Sequence, residues 1–293
     1  MARVMHGGLR HSHSLSRLYL NSVGPLIRAL PEGSWKSFVA NSLNEVAWPD
    51  LALPPATAIY PGGQVTATLV PHLGEFDFQL HLSRHLTYEP EVFAWLHGRQ
   101  YATVIEIGAN VGVFSLFLAK LFPQAHLHCF EPSRLAFSRL LANLAANPEV
   151  QNLFPYNCAV YSTTGFLSFH EPVGHLTNGS FHQDFAQQFA ATKTTFVPAL
   201  SPSCLEPLLR PGPILIKIDV EGAEPELLQS LEGVLRQYQP DLIIEVLPTV
   251  EAALNQMNWL RRQYRLFSLR PEGPQEQEYF EANNFRDYAL LPR

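Results

Sequence analysis

The sequence predicts an α/β fold: a doubly wound, mostly parallel sheet behind an N-terminal extension. Three observations predict it. From about residue 86, short apolar runs alternate with amphipathic stretches of helical length, which is the pattern of βαβ units. The runs ATVIEIG (102–108) and ILIKIDV (214–220) read as buried core strands. The first of them ends on Gly108, and Gly112 stands at the start of the following helix, so a ligand-binding loop lies at the carboxyl end of a strand.

The 293 residues are 46% hydrophobic, enough for one large domain with an appendage. The extension covers residues 1–85, with its first ~20 residues loose, as termini commonly are. Within it PLIRAL (25–30) and SWKSFVANSL (34–43) suit short helices. Pro49, Pro54, Pro55, Pro61, Gly62 and Gly63 then break the chain. VTATLV (65–70) and EFDFQLHL (75–82) alternate enough for strands or a hairpin. In the main domain, 86–293, the strand at 102–108 leads to a helix over 111–121, closed by Pro123. HLHCFE (126–131) is a second strand, and Ser133 caps a helix running to Asn147. FPYNCAV (154–160) is a third strand, with further strands at GFLSFH (165–170) and TTFVPAL (194–200) around a polar loop. After the strand at 214–220, a helix opens at Glu224 with acids in its first turn, where its dipole favours them. DLIIEVL (241–247), a helix over 250–262, YRLFSL (264–269) and DYALL (287–291) complete the sheet.

Net charge is −6 and no basic stripe is present, which argues against a nucleic-acid partner. Cys129, Cys158 and Cys204 are scattered without a CxxC pair, so neither a zinc site nor a disulfide frame is expected. A reducing, cytoplasmic setting fits that usage. Arg3, Arg10, Arg17 and Arg28 lie near the N-terminus, but no apolar core of a secretory signal accompanies them. No segment approaches the ~20 apolar residues of a membrane span. Oligomeric state is not legible.

The loop reads G-x-N-x-G. A dinucleotide loop places a glycine where Asn110 stands, so that a pyrophosphate can approach the backbone. Glu106, inside the strand, would repel a pyrophosphate but suits an ammonium or sulfonium group. Glu131 ends the second strand, where a carboxylate accepts hydrogen bonds from both ribose hydroxyls. A ribose and a positive charge without a diphosphate describe S-adenosylmethionine. An NAD-dependent oxidoreductase is the alternative that Asn110 and Glu106 oppose.

A second constellation is KIDVEGAE (217–224). Asp219 and Glu221 close the strand that a doubly wound sheet puts beside the first, and Glu245 ends the next. Lys217, two residues before Asp219, shares its side of the strand and offsets the clustered negative charge. These carboxylates suit a general base for an acceptor hydroxyl; the plain alternative is a buried ion network. A metal held by Asp219, Glu221 and Glu245 is less favoured, for want of a ligand-spacing motif, and no metal is expected. Among twelve histidines, His81 and His85 lack an HExxH context, while His170, His175 and His182 flank a loop that could cover substrate. Phe76, Phe78, Phe181 and Phe185 could stack on sugars, though core packing is the commoner use of Phe.

Four blocks in order, YEPEV (88–92), EIGANVGVFSLFLA (106–119), FEPS (130–133) and KIDVEGAE with LIIEV (242–246), resemble FkbM-type S-adenosylmethionine-dependent methyltransferases. The resemblance implies a class I methyltransferase fold, Rossmann-like and seven-stranded with an antiparallel last strand. It implies cofactor contacts from Tyr88, Glu89, Glu106, Gly108, Ala109, Asn110, Gly112, Glu131, Pro132 and Asn157, with Tyr88 and Glu89 at the methionine end. Asp219, Glu221, Glu245 and Lys217 then form the catalytic side. The implied activity is O-methylation of a sugar, glycan or natural-product hydroxyl. The chain departs from the pattern at Glu106, where Asp is usual, at SPSCLEP (201–207) in place of Thr-Leu-Asp, and at Leu247, where His is frequent. A histidine base at that last position is absent. A silent cofactor-binding partner module is the remaining alternative, and intact Glu106, Gly108, Glu131 and Asp219 oppose it.

Overall fold

The computed structural model describes residues 12–28, 52–72, 85–86, 89–173 and 178–293. The chain divides into two compact units, Met1–Tyr88 and Glu89–Arg293.

In the first unit, helix α1 (His13–Arg28) takes in residues 13–20 of the start that was expected to be loose or weakly helical. Leu15 N–H bonds to Ser12 Oγ at 3.3 Å, satisfying one of the free amides of the first turn. Leu20 and Ser16 are fully buried. Strand β1 (Ala56–Ile59) pairs antiparallel with β2 (Thr66–Leu69). The predicted strand at 65–70 is therefore present, but its partner comes from the proline-rich stretch read as a break. Pro54, Pro55 and Pro61 flank β1 without occupying it, so no ladder donor is lost. The predicted helix at 34–43 and strand at 75–82 lie outside the described residues.

The second unit begins with α2 (Pro90–Leu96), β3 (Thr103–Ile107), α3 (Val113–Leu121), β4 (His126–Phe130), α4 (Arg134–Ala145) and β5 (Leu153–Tyr156). Next come β6 (Ala159–Val160), β7 (Gly165–Pro172), α5 (Gln183–Gln187) and β8 (Thr192–Leu200). It closes with β9 (Ile214–Ile218), α6 (Glu224–Tyr238), β10 (Asp241–Glu245), α7 (Glu251–Gln256), α8 (Asn258–Gln263), β11 (Tyr264–Ser268), β12 (Gln275–Gln277) and β13 (Asp287–Pro292).

Among the described residues the central sheet has eight strands, in the order β12-β11-β13-β10-β9-β3-β4-β5. The expected seven are joined by β12, a short edge strand that pairs antiparallel with β11. Strand β13 runs antiparallel to both its neighbours, β10 and β11. Strands β3 and β9 are buried along their whole length, as strands covered on both faces must be. Helix α6 buries Leu227, Leu228, Leu231, Val234 and Leu235, a 3.6-residue stripe, in the core that holds Ile216, Ile218, Leu242 and Ile244. Each such leucine contributes about 1.5–3 kcal/mol by leaving water. Phe93 of α2 stacks on Phe114 of α3 with ring centroids 4.4 Å apart.

Two predicted elements divide, and two predicted strands form a sheet of their own. The strand at 154–160 divides: β5 joins the central sheet and β6 leaves it. The strands at 165–170 and 194–200 build, with β6, a separate sheet ordered β6-β8-β7. The helix at 250–262 breaks at Met257 into α7 and α8. The cysteines are free, and among the described residues no helix is long and apolar enough to cross a membrane.

Candidate active site

Strands β10, β9 and β3 are adjacent and parallel, so their carboxyl ends open at one edge. Register sets Glu106 beside Lys217 and Ile107 beside Ile218. The loop after β3 is pressed against the loop after β9. A Cβ on Gly108 would stand 1.7 Å from the Asp219 carbonyl oxygen, and Gly108 also has φ +90°. The N–H groups of Gly108 and Ala109 both donate to the Phe130 carbonyl at 3.0 Å, which ties the loop to β4. Gly112 begins α3 where a Cβ would meet Leu140 at 2.8 Å.

Glu106 is 1% exposed. Ser115 Oγ donates to its Oε2, while Oε1 has no partner. Burial pushes its pKa up to about 7, against the pull of Lys217 and the Ser115 bond. Asn110 takes a left-handed conformation, φ +49°, and its buried Oδ1 also lacks a partner. The Asn110 N–H donates to Glu131 Oε2 at 2.8 Å, and Ser133 N–H donates to Glu131 Oε1 at 2.7 Å. Burial lifts Glu131 to about 7 despite those two bonds. Each of its oxygens keeps a second lone pair for a hydroxyl donor. Asn157 turns inward: its Nδ2 donates to the carbonyls of Glu131 at 2.9 Å and Pro132 at 3.3 Å, which fixes the bend after β4. Two unpartnered buried acceptors, one a carboxylate, beside a carboxylate with spare lone pairs fit a ligand rich in donors and positively charged. That is the chemistry of S-adenosylmethionine.

Lys217 Nζ donates to Asp219 Oδ2 at 2.9 Å and lies 4.5 Å above the Phe114 ring. Burial alone would weaken its hold on the proton; Asp219, Glu89 and Glu106 outweigh burial and raise its pKa. Glu221 is left-handed at φ +52°. Burial first, then Asp219, Glu245 and Glu224, push its pKa up to about 9, with Lys217 opposing. Glu245 rises to about 8, through burial, then Asp219, Glu89 and Glu224, again against Lys217.

The predicted residues Glu89, Glu106, Lys217, Asp219, Glu221 and Glu245 thus act on one another at one edge of the sheet. Tyr88 lies outside the described residues. Two further acids belong here. Asp287 stands directly opposite Glu245 in the β10–β13 register, and burial raises its carboxyl well above the usual range. The one signal for it was its place at the head of the predicted strand DYALL; its neighbour is a matter of strand order. Glu224, read as a helix-start acid, turns its carboxylate back on the loop. It accepts from Val220 N–H at 3.1 Å and Gly222 N–H at 3.1 Å, and it is fully buried.

His170 and His182 have other side-chain partners than these acids. His170 Nδ1 meets Thr194 Oγ1 at 3.0 Å within the small sheet. His182 Nε2 is 3.6 Å from Glu226. His85 bridges Ile59, while His81 and His175 fall outside the described residues, as do Phe76 and Phe78. Phe181 packs on Tyr161 and Phe169, and Phe185 on Phe189. Among the described residues no three His, Cys, Asp or Glu side chains are grouped to hold a metal ion.

A family model described as the methyltransferase FkbM domain matches residues 106–266. The chain is similar to methyltransferase sdnD of Sordaria araneosa, at 28% identity over 147 residues, which are 47% of this chain and 49% of that protein. It therefore spans about half the length of the curated relative it matches. Among solved structures it is similar to methyltransferase FkbM from Methylobacillus flagellatus KT, with a TM-score of 0.44 and 14% identity over 70% of this chain and 46% of that one. It is also similar to the O-methyltransferase TomG from Streptomyces achromogenes, solved with S-adenosylmethionine, with a TM-score of 0.39 and 13% identity over 69% of this chain and 78% of that one.

Proposed function

The chain belongs to the FkbM methyltransferase family, and on that premise we propose that it is an S-adenosylmethionine-dependent O-methyltransferase acting on a hydroxyl of a sugar, glycan or natural-product acceptor. The observation that carries this reading is the wall shared by two loops. Gly108 of the loop that fits the cofactor has no room for a side chain because the Asp219 carbonyl is already there. That contact supports a reading in which the cofactor loop and the proton acceptors work side by side.

Glu106, Asn110 and Glu131 would hold the cofactor. Gly108 and Gly112, with no room for a Cβ against Asp219 and Leu140, let the loop pack closely enough to offer its backbone to the cofactor, Pro132 and Asn157 fix the turn at Glu131, and Glu89 is assigned to the methionine end. When bound, the cofactor supplies a sulfonium methyl group, which is electrophilic without further activation. The chain's own work is to orient the acceptor oxygen and remove its proton. Lys217 commits Asp219 to an ion pair, so Glu221 and Glu245 are the stronger candidates to take that proton on a carboxylate oxygen. Their raised proton affinity, about 9 and about 8, makes them better bases than an ordinary carboxylate at the alkaline side of neutrality. Positioned bases of this kind contribute roughly 10²–10⁴-fold in rate, on top of the gain from orientation.

Calorimetry with S-adenosylhomocysteine tests the cofactor assignment. Binding is expected, weakened about tenfold in Glu131→Gln, because the new amide faces two N–H donors. Transfer of labelled methyl to a panel of sugars, glycans and polyketides tests the chemistry, with Glu245→Gln slowing it about 10²-fold. Binding of NAD in place of S-adenosylhomocysteine, or methyl found on nitrogen or carbon, would overturn the reading.

A further inference from the structure

Ser180, bridged to the small sheet at His170, reaches the acid loop. Ser180 is fully buried and exchanges backbone hydrogen bonds with His170, N–H to carbonyl at 3.0 Å and the reverse at 2.9 Å. Its hydroxyl donates to the Glu221 carbonyl at 2.8 Å and accepts from His182 N–H at 3.0 Å. Gly179 permits this close path, since a Cβ there would stand 2.7 Å from the Phe169 ring. Just beyond, the Phe185 ring closes on Gly222, at 3.5 Å from where its Cβ would be. The same sheet is held at β7 to the bend after β4, where Ser133 Oγ donates to Glu171 Oε1 at 2.6 Å.

Glu221 and Gly222 are consecutive left-handed residues, φ +52° and +97°. Gly222 takes that shape at little cost, but a glutamate does so only where its surroundings hold it. Glu224 secures the amides of Val220 and Gly222. The Glu221 carbonyl is secured from outside the loop, by Ser180.

We propose that Ser180 is a positioning residue for Glu221: its hydroxyl pins the Glu221 carbonyl, keeps the left-handed turn closed, and so aims the Glu221 carboxylate inward at the acceptor side of the site. The small sheet thereby sets the geometry of a proton acceptor that it does not itself carry. The inference rests on the acceptor-side role assigned to Glu221, but its test does not need the acceptor.

The test is a pH titration of the Glu221 carboxyl by carbon-13 NMR, assigned by the signal lost in Glu221→Gln. The groups around that carboxyl are Asp219 and Glu224 on its own segment, Lys217 on β9 and Glu245 on β10, with His182 beside Ser180. In Ser180→Ala the turn opens, the carboxylate gains water, and its midpoint falls toward the ordinary range by about one pH unit or more. Ser180→Thr, which keeps the hydroxyl, restores the wild-type midpoint. Should Ser180→Ala not fold, Ser180→Cys keeps the volume, donates weakly, and lowers the midpoint in the same direction. An unchanged midpoint in Ser180→Ala or Ser180→Cys overturns the proposal. Binding of S-adenosylhomocysteine is measured alongside and stays within about twofold in every Ser180 variant, because Ser180 bonds to His170, Glu221 and His182, none of them assigned to the cofactor. Absence of that binding in the wild type would sink the proposed function and leave the Ser180 result to stand or fall by itself.

Discussion

At the scale of single residues, Gly108 is the position with least freedom. A methyl group there overlaps the Asp219 carbonyl and forces a left-handed φ on a residue with a Cβ. Gly108→Ala is expected to cost about 3 kcal/mol or more in urea denaturation and to abolish binding of S-adenosylhomocysteine. Near-normal stability together with binding would show that the two loops can separate. Gly108, Glu106, Asn110 and Glu131 were legible because their meaning is local: a strand end, a helix start and the charge between them. Asp287 was not. Its place opposite Glu245 depends on β13 entering beside β10, and no spacing in the sequence encodes that. Ser115 escaped for a similar reason, since a serine in an apolar helix gives no sign that a buried carboxylate lies one strand away.

At the scale of elements, helix α4 shows what sequence reads well. Ser133 after Pro132 was the expected cap, and Ser133 Oγ does accept from Ala136 N–H at 3.3 Å. The same hydroxyl donates to Glu171, so one atom both caps a helix and holds the small sheet. Ser133→Ala should therefore lower stability by about 1 kcal/mol from the cap alone, a fall of about 2–4 °C in melting temperature. A change below 0.5 °C in differential scanning calorimetry would indicate that the cap contributes nothing. The misreadings share a cause. Alternation marks β7 and β8 as strands but does not say which sheet they join. FPYNCAV has strand composition throughout, yet the chain leaves the central sheet after Tyr156, where Asn157 bonds back to the bend after β4. The break at Met257 has no proline or glycine to announce it.

For the molecule as a whole, the carboxyls at the sheet edge predict how stability follows pH. Burial is the first cause of every shift here: Glu106, Glu131 and Glu224 move up to about 7, Glu245 to about 8 and Glu221 to about 9. A folded-state pKa above the unfolded value of about 4.3 means that the folded chain binds more protons over that interval. The contribution is complete below about pH 4 and is lost as pH rises through 7 to 9. The melting temperature of the ligand-free protein should thus decline from pH 6 to pH 9, and the slope should be shallower in Glu245→Gln. A melting temperature that climbs with alkalinity would contradict the buried-acid description. Strand β13 adds a consequence of another kind. It is made after β10 and β11, yet it lies between them. A growing chain therefore holds two facing strand edges apart, or leaves them uncommitted, until a later segment is wedged in antiparallel. That late non-local pairing is slow by nature. Because Asp287 arrives with the wedge, it joins the acids at the sheet edge only when the sheet closes, and a partly made chain has yet to assemble that cluster.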